Sequence, residues 1–109
     1  MDLQRELDYK SKLLYMSVEE LKKTGEEYAK AYTDYRVELA KELVKLKNEG
    51  YAISLANDIA RGKPEIAKLK FEEISKEAVY KANQESINVL KLQVKLLENQ
   101  IGREWESEK

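Results

Sequence analysis

Tyr28, Tyr32, Tyr35 and Arg36 lie close together, with Lys30 and Asp34 among them. At about 100° per residue the three tyrosines fall on one helical stripe. A coiled-coil seam prefers Leu, Ile or Val, so three phenols there invite a use. The chemistry they could do is recognition: a planar ligand stacks on the rings while Arg36 or Lys30 meets a phosphate. The plainer alternative is a wide core. The rings then pack around Gly25 and opposite small residues such as Ala78 and Ala82, and each phenol finds a hydrogen-bond partner.

A second candidate is the stretch from Tyr51 to Lys63, which carries Asn57, Asp58, Arg61 and Lys63 among apolar Ile53, Leu55 and Ile59. Polar groups on a loop held by a rigid scaffold often bind something. Arg61 and Lys63 precede a helix start, where anions are favoured, so a phosphate contact is conceivable. The alternative is a turn in which Ser54 caps, Gly62 stops and Pro64 restarts the chain, with the apolar residues plugging a bundle end. A third candidate is Trp105, either an anchor for a partner protein or a lid closing the bundle against Leu7 or Leu3.

The carboxylates have plain readings. Glu19-Glu20, Glu26-Glu27 and Glu72-Glu73 sit among lysines at helical spacing, the pattern of a solvated face. The chain has no His and no Cys. That removes the thiol nucleophile, the disulfide framework, the usual zinc site and the commonest general base near neutral pH. Gly62-Lys63 lacks the upstream glycine and following Ser or Thr of a phosphate-binding loop. A non-enzymatic protein without cofactor or metal is expected.

The elements that must position these residues are helices. Leu3 to about Asn48 reads as helical, with Leu14, Val18, Leu21, Gly25, Tyr28, Tyr32, Tyr35, Leu39 and Leu46 as a heptad-like stripe. Ser17 and Glu20 match a capping box, which would break this arm near residues 16–17, yet the stripe continues through without a phase shift. Both readings stand at this level. Gly50 is suited to end the arm, and Pro64 to begin the next. The spacing therefore predicts one all-α domain over residues 1–109. Its parts are arm one at about 3–49, a connector with a short helix at 50–63, and arm two at about 64–106, folded as an antiparallel hairpin with position i facing about 112 − i.

Arm two carries two apolar stripes roughly half a turn apart. One runs through Leu69, Tyr80, Ile87, Leu90, Val94, Leu97, Ile101 and Trp105. The other includes Phe71, Ile74, Ala78, Val89, Leu92 and Leu96. Arm one can cover only one of them. The second stripe is expected to be an interface at which hairpins assemble into a homo-oligomer.

Charged residues make up 38% of the chain, yet the net charge is only −1, which excludes a generally basic binder of nucleic acid while leaving a local basic patch open. No stretch approaches a membrane span, and the charged start of the chain does not read as a signal peptide, so a cytoplasmic setting is expected.

Three segments carry a resemblance: Tyr35 to Lys41, Ala52 to Gly62, and Tyr80 to Glu85. They resemble short all-helical proteins encoded by phages of Gram-positive bacteria, over about residues 13–106. The resemblance implies a host bacterial cytoplasm and an accessory role. The function expected is binding: an inhibitor or adaptor of a host or phage protein, of the anti-defence type. Two alternatives are an oligomeric sponge that sequesters a small nucleotide and an accessory protein of phage DNA replication or recombination.

Overall fold

The computed structural model describes residues 2–108. They form three helices: α1 (Leu3–Asn48), α2 (Ile53–Gly62) and α3 (Pro64–Ser107). The two long helices pack antiparallel as a helical hairpin, with α2 between them along the chain. No helix is long and apolar enough among the described residues to cross a membrane. The hairpin divides into two compact units. A terminal unit joins Met1–Lys23 to Tyr80–Lys109, and a connector unit comprises Thr24–Val79.

α1 is continuous through Met16 and Ser17, so the capping-box sequence does not start a new helix. Its end is set by Gly50, which adopts a φ of +97° that a side chain with a Cβ would resist. The Gly50 N–H donates to the Lys47 carbonyl and the Tyr51 N–H to the Leu46 carbonyl, the paired bonds of a Schellman stop. α2 begins one residue before Ser54. Its N-cap is Ala52, whose extended backbone presents a carbonyl to the Ala56 N–H with no side-chain cap. The proposed Ser54 cap is therefore not formed. Lys63 is extended, as a residue preceding proline prefers, and Pro64 opens α3.

The connector unit holds the apolar core: Tyr35, Leu39, Leu46, Ala56, Ala60 and Ile66, with Leu43, Ile59 and Leu69 against it. The two alanines explain how α2 fits, because their small side chains let it lie close along the last turns of α1. The chain thus climbs back before α3 begins, and Lys63 meets Glu42 rather than the end of α1. This corrects the register. Tyr28 pairs with Glu77 and Glu27 with Lys76, so position i faces about 104 − i in this unit. The difference from 112 − i is about two helical turns.

In the terminal unit the Asn83 side-chain amide donates to the Ser17 carbonyl at 3.0 Å. Position i there faces about 100 − i, which brings α3 level with Leu3 near Leu97. Trp105 consequently lies past the start of α1 and is 66% exposed, not closed against Leu7.

The inner face of α3 alternates steps of three and four: Ile66, Leu69, Glu73 and Lys76 in the connector unit, then Tyr80, Asn83, Ile87, Leu90, Val94, Leu97 and Ile101 in the terminal unit. All are buried or half-buried. The matching face of α1 is Leu3, Leu7, Lys10, Leu14, Ser17 and Leu21, then Thr24, Tyr28, Ala31 and Tyr35. Val18 and Tyr32, read as part of the stripe, point outward, and Ser17 and Ala31 hold the seam instead.

Candidate functional site

The tyrosine run is split by its spacing. Tyr28 and Tyr35 are seven apart and both face α3, whereas Tyr32 between them is exposed. The Tyr28 hydroxyl donates to the Glu77 carboxylate at 2.6 Å. That bond, followed by desolvation and the Glu77 charge, pushes the phenol up to about 12, because ionisation would set a phenolate against a carboxylate. Tyr35 is buried beneath the Lys70 ammonium, which sits 4.8 Å from the ring centroid and also pairs with buried Glu73 at 3.0 Å. Arg36 is exposed. Lys30 turns to Asp34 at 2.8 Å, and this bond raises its pKa.

The polar layer thus consists of Thr24, Glu27 and Tyr28 from α1 against Glu73, Lys76 and Glu77 from α3. Thr24 and Glu73 are buried. Every buried side-chain polar atom among the described residues has a partner. A satisfied polar layer in an apolar seam fixes register, because sliding one helix would strand its charges. What these residues can do is hold the hairpin in one alignment. Sequence reasoning missed Glu73 and Glu77 because carboxylates at helical spacing to lysines read as solvated. The available signal was their place on the Leu69–Tyr80 stripe.

The connector residues are placed as follows. Tyr51, Asp58 and Arg61 are exposed. The Asn57 amide donates back to the Ile53 carbonyl at 3.0 Å and so serves α2 itself. Lys63 is directed to Glu42, and their hydrogen bond raises the lysine and lowers the carboxylate. The connector therefore does not gather these polar groups into one cluster.

The second stripe of α3 is bare in both units. In the connector unit Phe71 is 66% and Ile74 57% exposed, with Ala78 exposed beside them. In the terminal unit Val89, Leu92 and Leu96 are each about half exposed or more. Taking Ile66 and Ile87 as heptad position a, these residues occupy b, c and f, the positions turned away from a two-helix seam.

Shallow grooves run along the hairpin. One of about 300 Å³ in the connector unit is lined by Glu27, Lys30, Asp34, Glu72 and Lys76, with Ala31 and Leu69 as its only apolar lining. In the terminal unit a groove of about 540 Å³ is lined by Leu13, Ser17, Ala82, Ser86, Val89 and Leu90, with Glu85 at its rim. The opposite side of that unit is polar: Lys81, Gln84, Asn88 and Lys91 surround a hollow floored by Leu21 and Ile87. Ser86 escaped sequence reasoning because a small polar residue carries little hydrophobic signal, and its place four residues after Ala82 on α3 was the cue.

No family model matches this chain, and neither a curated protein nor a solved structure matches it.

Proposed function

We propose that the protein is a non-enzymatic binding protein that acts by occupancy. The outer face of α3 holds a partner protein, and no bond is made or broken. The observation that supports this is the pair Phe71 and Ile74, two large apolar side chains exposed on a helix whose inner face is already seated. Adjacent, exposed apolar side chains on a stable scaffold mark protein interfaces, and aromatic residues carry much of the energy there. With the resemblance to phage proteins, the partner is a bacterial or phage protein in the host cytoplasm, blocked or bridged as an inhibitor or adaptor would do.

The nucleotide reading has less support, since the Tyr28 hydroxyl is engaged with Glu77 and the Tyr35 ring with Lys70, both on α3. The test is affinity capture from host cytoplasm with the full chain and with Phe71→Glu/Ile74→Glu. A defined partner retained by the first and lost by the second supports the reading. Equal capture by both contradicts it.

A further inference from the structure

The polar side of the terminal unit concentrates positive charge. There Lys81, Gln84, Asn88 and Lys91 border a hollow of about 520 Å³ floored by Leu21 and Ile87. Lys95 extends the row by one turn, so positions 81, 84, 88, 91 and 95 recur by steps of three and four on one stripe of α3. All five are exposed. Glu85 is the acid among the lining residues and stands at the Lys81 end.

The charges of this stripe are not answered from within. Lys30 and Lys70 each pair with a carboxylate three or four residues away. At that spacing from Lys91 stand Ile87, Asn88, Val94 and Lys95. From Ser86 to Leu97 α3 has no carboxylate. Lys91 and Lys95, one turn apart, repel each other and so weaken the helix that carries them. α1 adds Lys22 and Tyr15 at the heptad positions that adjoin this side. Tyr15 is 67% exposed and stands level with the stripe between Lys81 and Lys91. Among the described residues Lys22, Lys91 and Lys95 form no ion pair.

We infer that this side of the terminal unit binds single-stranded nucleic acid, with Lys22, Lys81, Lys91 and Lys95 along the phosphates and Tyr15 stacked on a base. The charge complementarity is linear. From 81 to 95 the stripe is about 21 Å long. A strand with one phosphate per about 3.4 Å places about six along it. The remaining groups distinguish a nucleic acid from an acidic peptide. An exposed phenol among cations offers the π-face on which a base stacks, and a carboxylate side chain has no use for it. Gln84 and Asn88 carry both donors and acceptors, as the edges of bases do. A duplex keeps its bases stacked on one another and leaves Tyr15 unengaged. The net charge of −1 does not oppose this, because exposed carboxylates more than about 10 Å away are largely screened. The surface shares no residue with the face of Phe71 and Ile74, and its occupancy does not depend on the partner protein proposed above.

The test is fluorescence anisotropy of labelled oligothymidylate with the full chain over a salt series. Four phosphate contacts give a log–log slope of about −3, so affinity should fall about fiftyfold between about 50 and 200 mM salt. Lys91→Gln/Lys95→Gln should halve the slope, leaving a fall of about sevenfold. Tyr15→Leu should bind about fivefold more weakly or worse with the slope unchanged, because stacking carries no charge. These positions are exposed, so far-UV circular dichroism should show the parent's helix content. Lys45→Gln/Lys47→Gln, exposed in the connector unit, should bind as the parent does. The inference is overturned by any of four results: no binding at about 50 mM salt, equal loss from the two lysine pairs, Tyr15→Leu binding like the parent, or a duplex or polyglutamate competing as well as unlabelled oligothymidylate. Phe71→Glu/Ile74→Glu should leave oligonucleotide binding intact, which separates this outcome from failure of the partner-binding reading.

Discussion

The Tyr28 hydroxyl and the Glu77 carboxylate, 49 residues apart in sequence, meet at 2.6 Å in the connector unit. This bond joins α1 to α3 at a seam position where an apolar pair would ordinarily sit. It ties the alignment of the helices to the protonation of one phenol. Tyr28 has its folded-state pKa raised from 10.0 to about 12. A group raised on folding contributes stability that is present in full below its unfolded value and lost as pH climbs through the folded one. Unfolding free energy should therefore fall between pH 10 and about 12. In a tyrosinate absorbance titration, Tyr28 should ionise late. Tyr28→Phe should remove that late component and lower the melting temperature.

The Glu42–Lys63 pair should act at both ends of the pH scale. Glu42 is lowered on folding, so its contribution is present above the ordinary value of 4.5 and lost as pH falls through the depressed one. Lys63 is raised, so its contribution is present below 10.5 and lost as pH rises through the elevated value. Thermal melts across pH should show both losses. Lys63→Met should flatten the acid-side loss, and the swap Glu42→Lys/Lys63→Glu should restore part of the stability that either single change removes.

Leu39 is buried in the apolar cluster of the connector unit. Leu39→Ala should cost about 2–5 kcal/mol in chemical denaturation, by lost transfer energy plus the cavity left behind. Val44 lies on the same helix and is exposed. Val44→Ala should stay within about 0.5 kcal/mol.

The glycines should separate by conformation. Gly50 holds a positive φ, so Gly50→Ala should cost about 1 kcal/mol or more although nothing crowds the new methyl. Gly102 is helical with open space around it, so Gly102→Ala should be neutral or stabilising by up to about 1 kcal/mol.

The sequence made the helices legible because their signals are local. Composition favoured long helices, Gly50 could only be a stop, Pro64 could only be a start, and most of the inner stripe of α3 followed from spacing. The register was not legible. It depends on α2 folding back along α1 through Ala56 and Ala60, a packing event with no local signature. The polar layer was hidden for a related reason. Glu73 and Thr24 look like surface residues until a partner helix is set opposite them, as does Ser17 in the terminal unit, and an apolar-weighted stripe slips to Val18 and Tyr32 beside the seam. The bare stripe of Phe71, Ile74, Val89, Leu92 and Leu96 was predicted on arithmetic alone, since one arm cannot cover two opposite faces.

A partner protein seated on the outer face of α3 would lie within reach of a crosslinker at Phe71. The most direct measurement replaces Phe71 with a photo-crosslinking phenylalanine analogue in host cytoplasm and identifies the adducts by mass spectrometry. Adducts to one defined protein are expected at position 71, and none when the probe stands at exposed Lys12 on α1. Probe-bearing protein that gives no adduct at Phe71, or the same scatter of adducts from both positions, would contradict it.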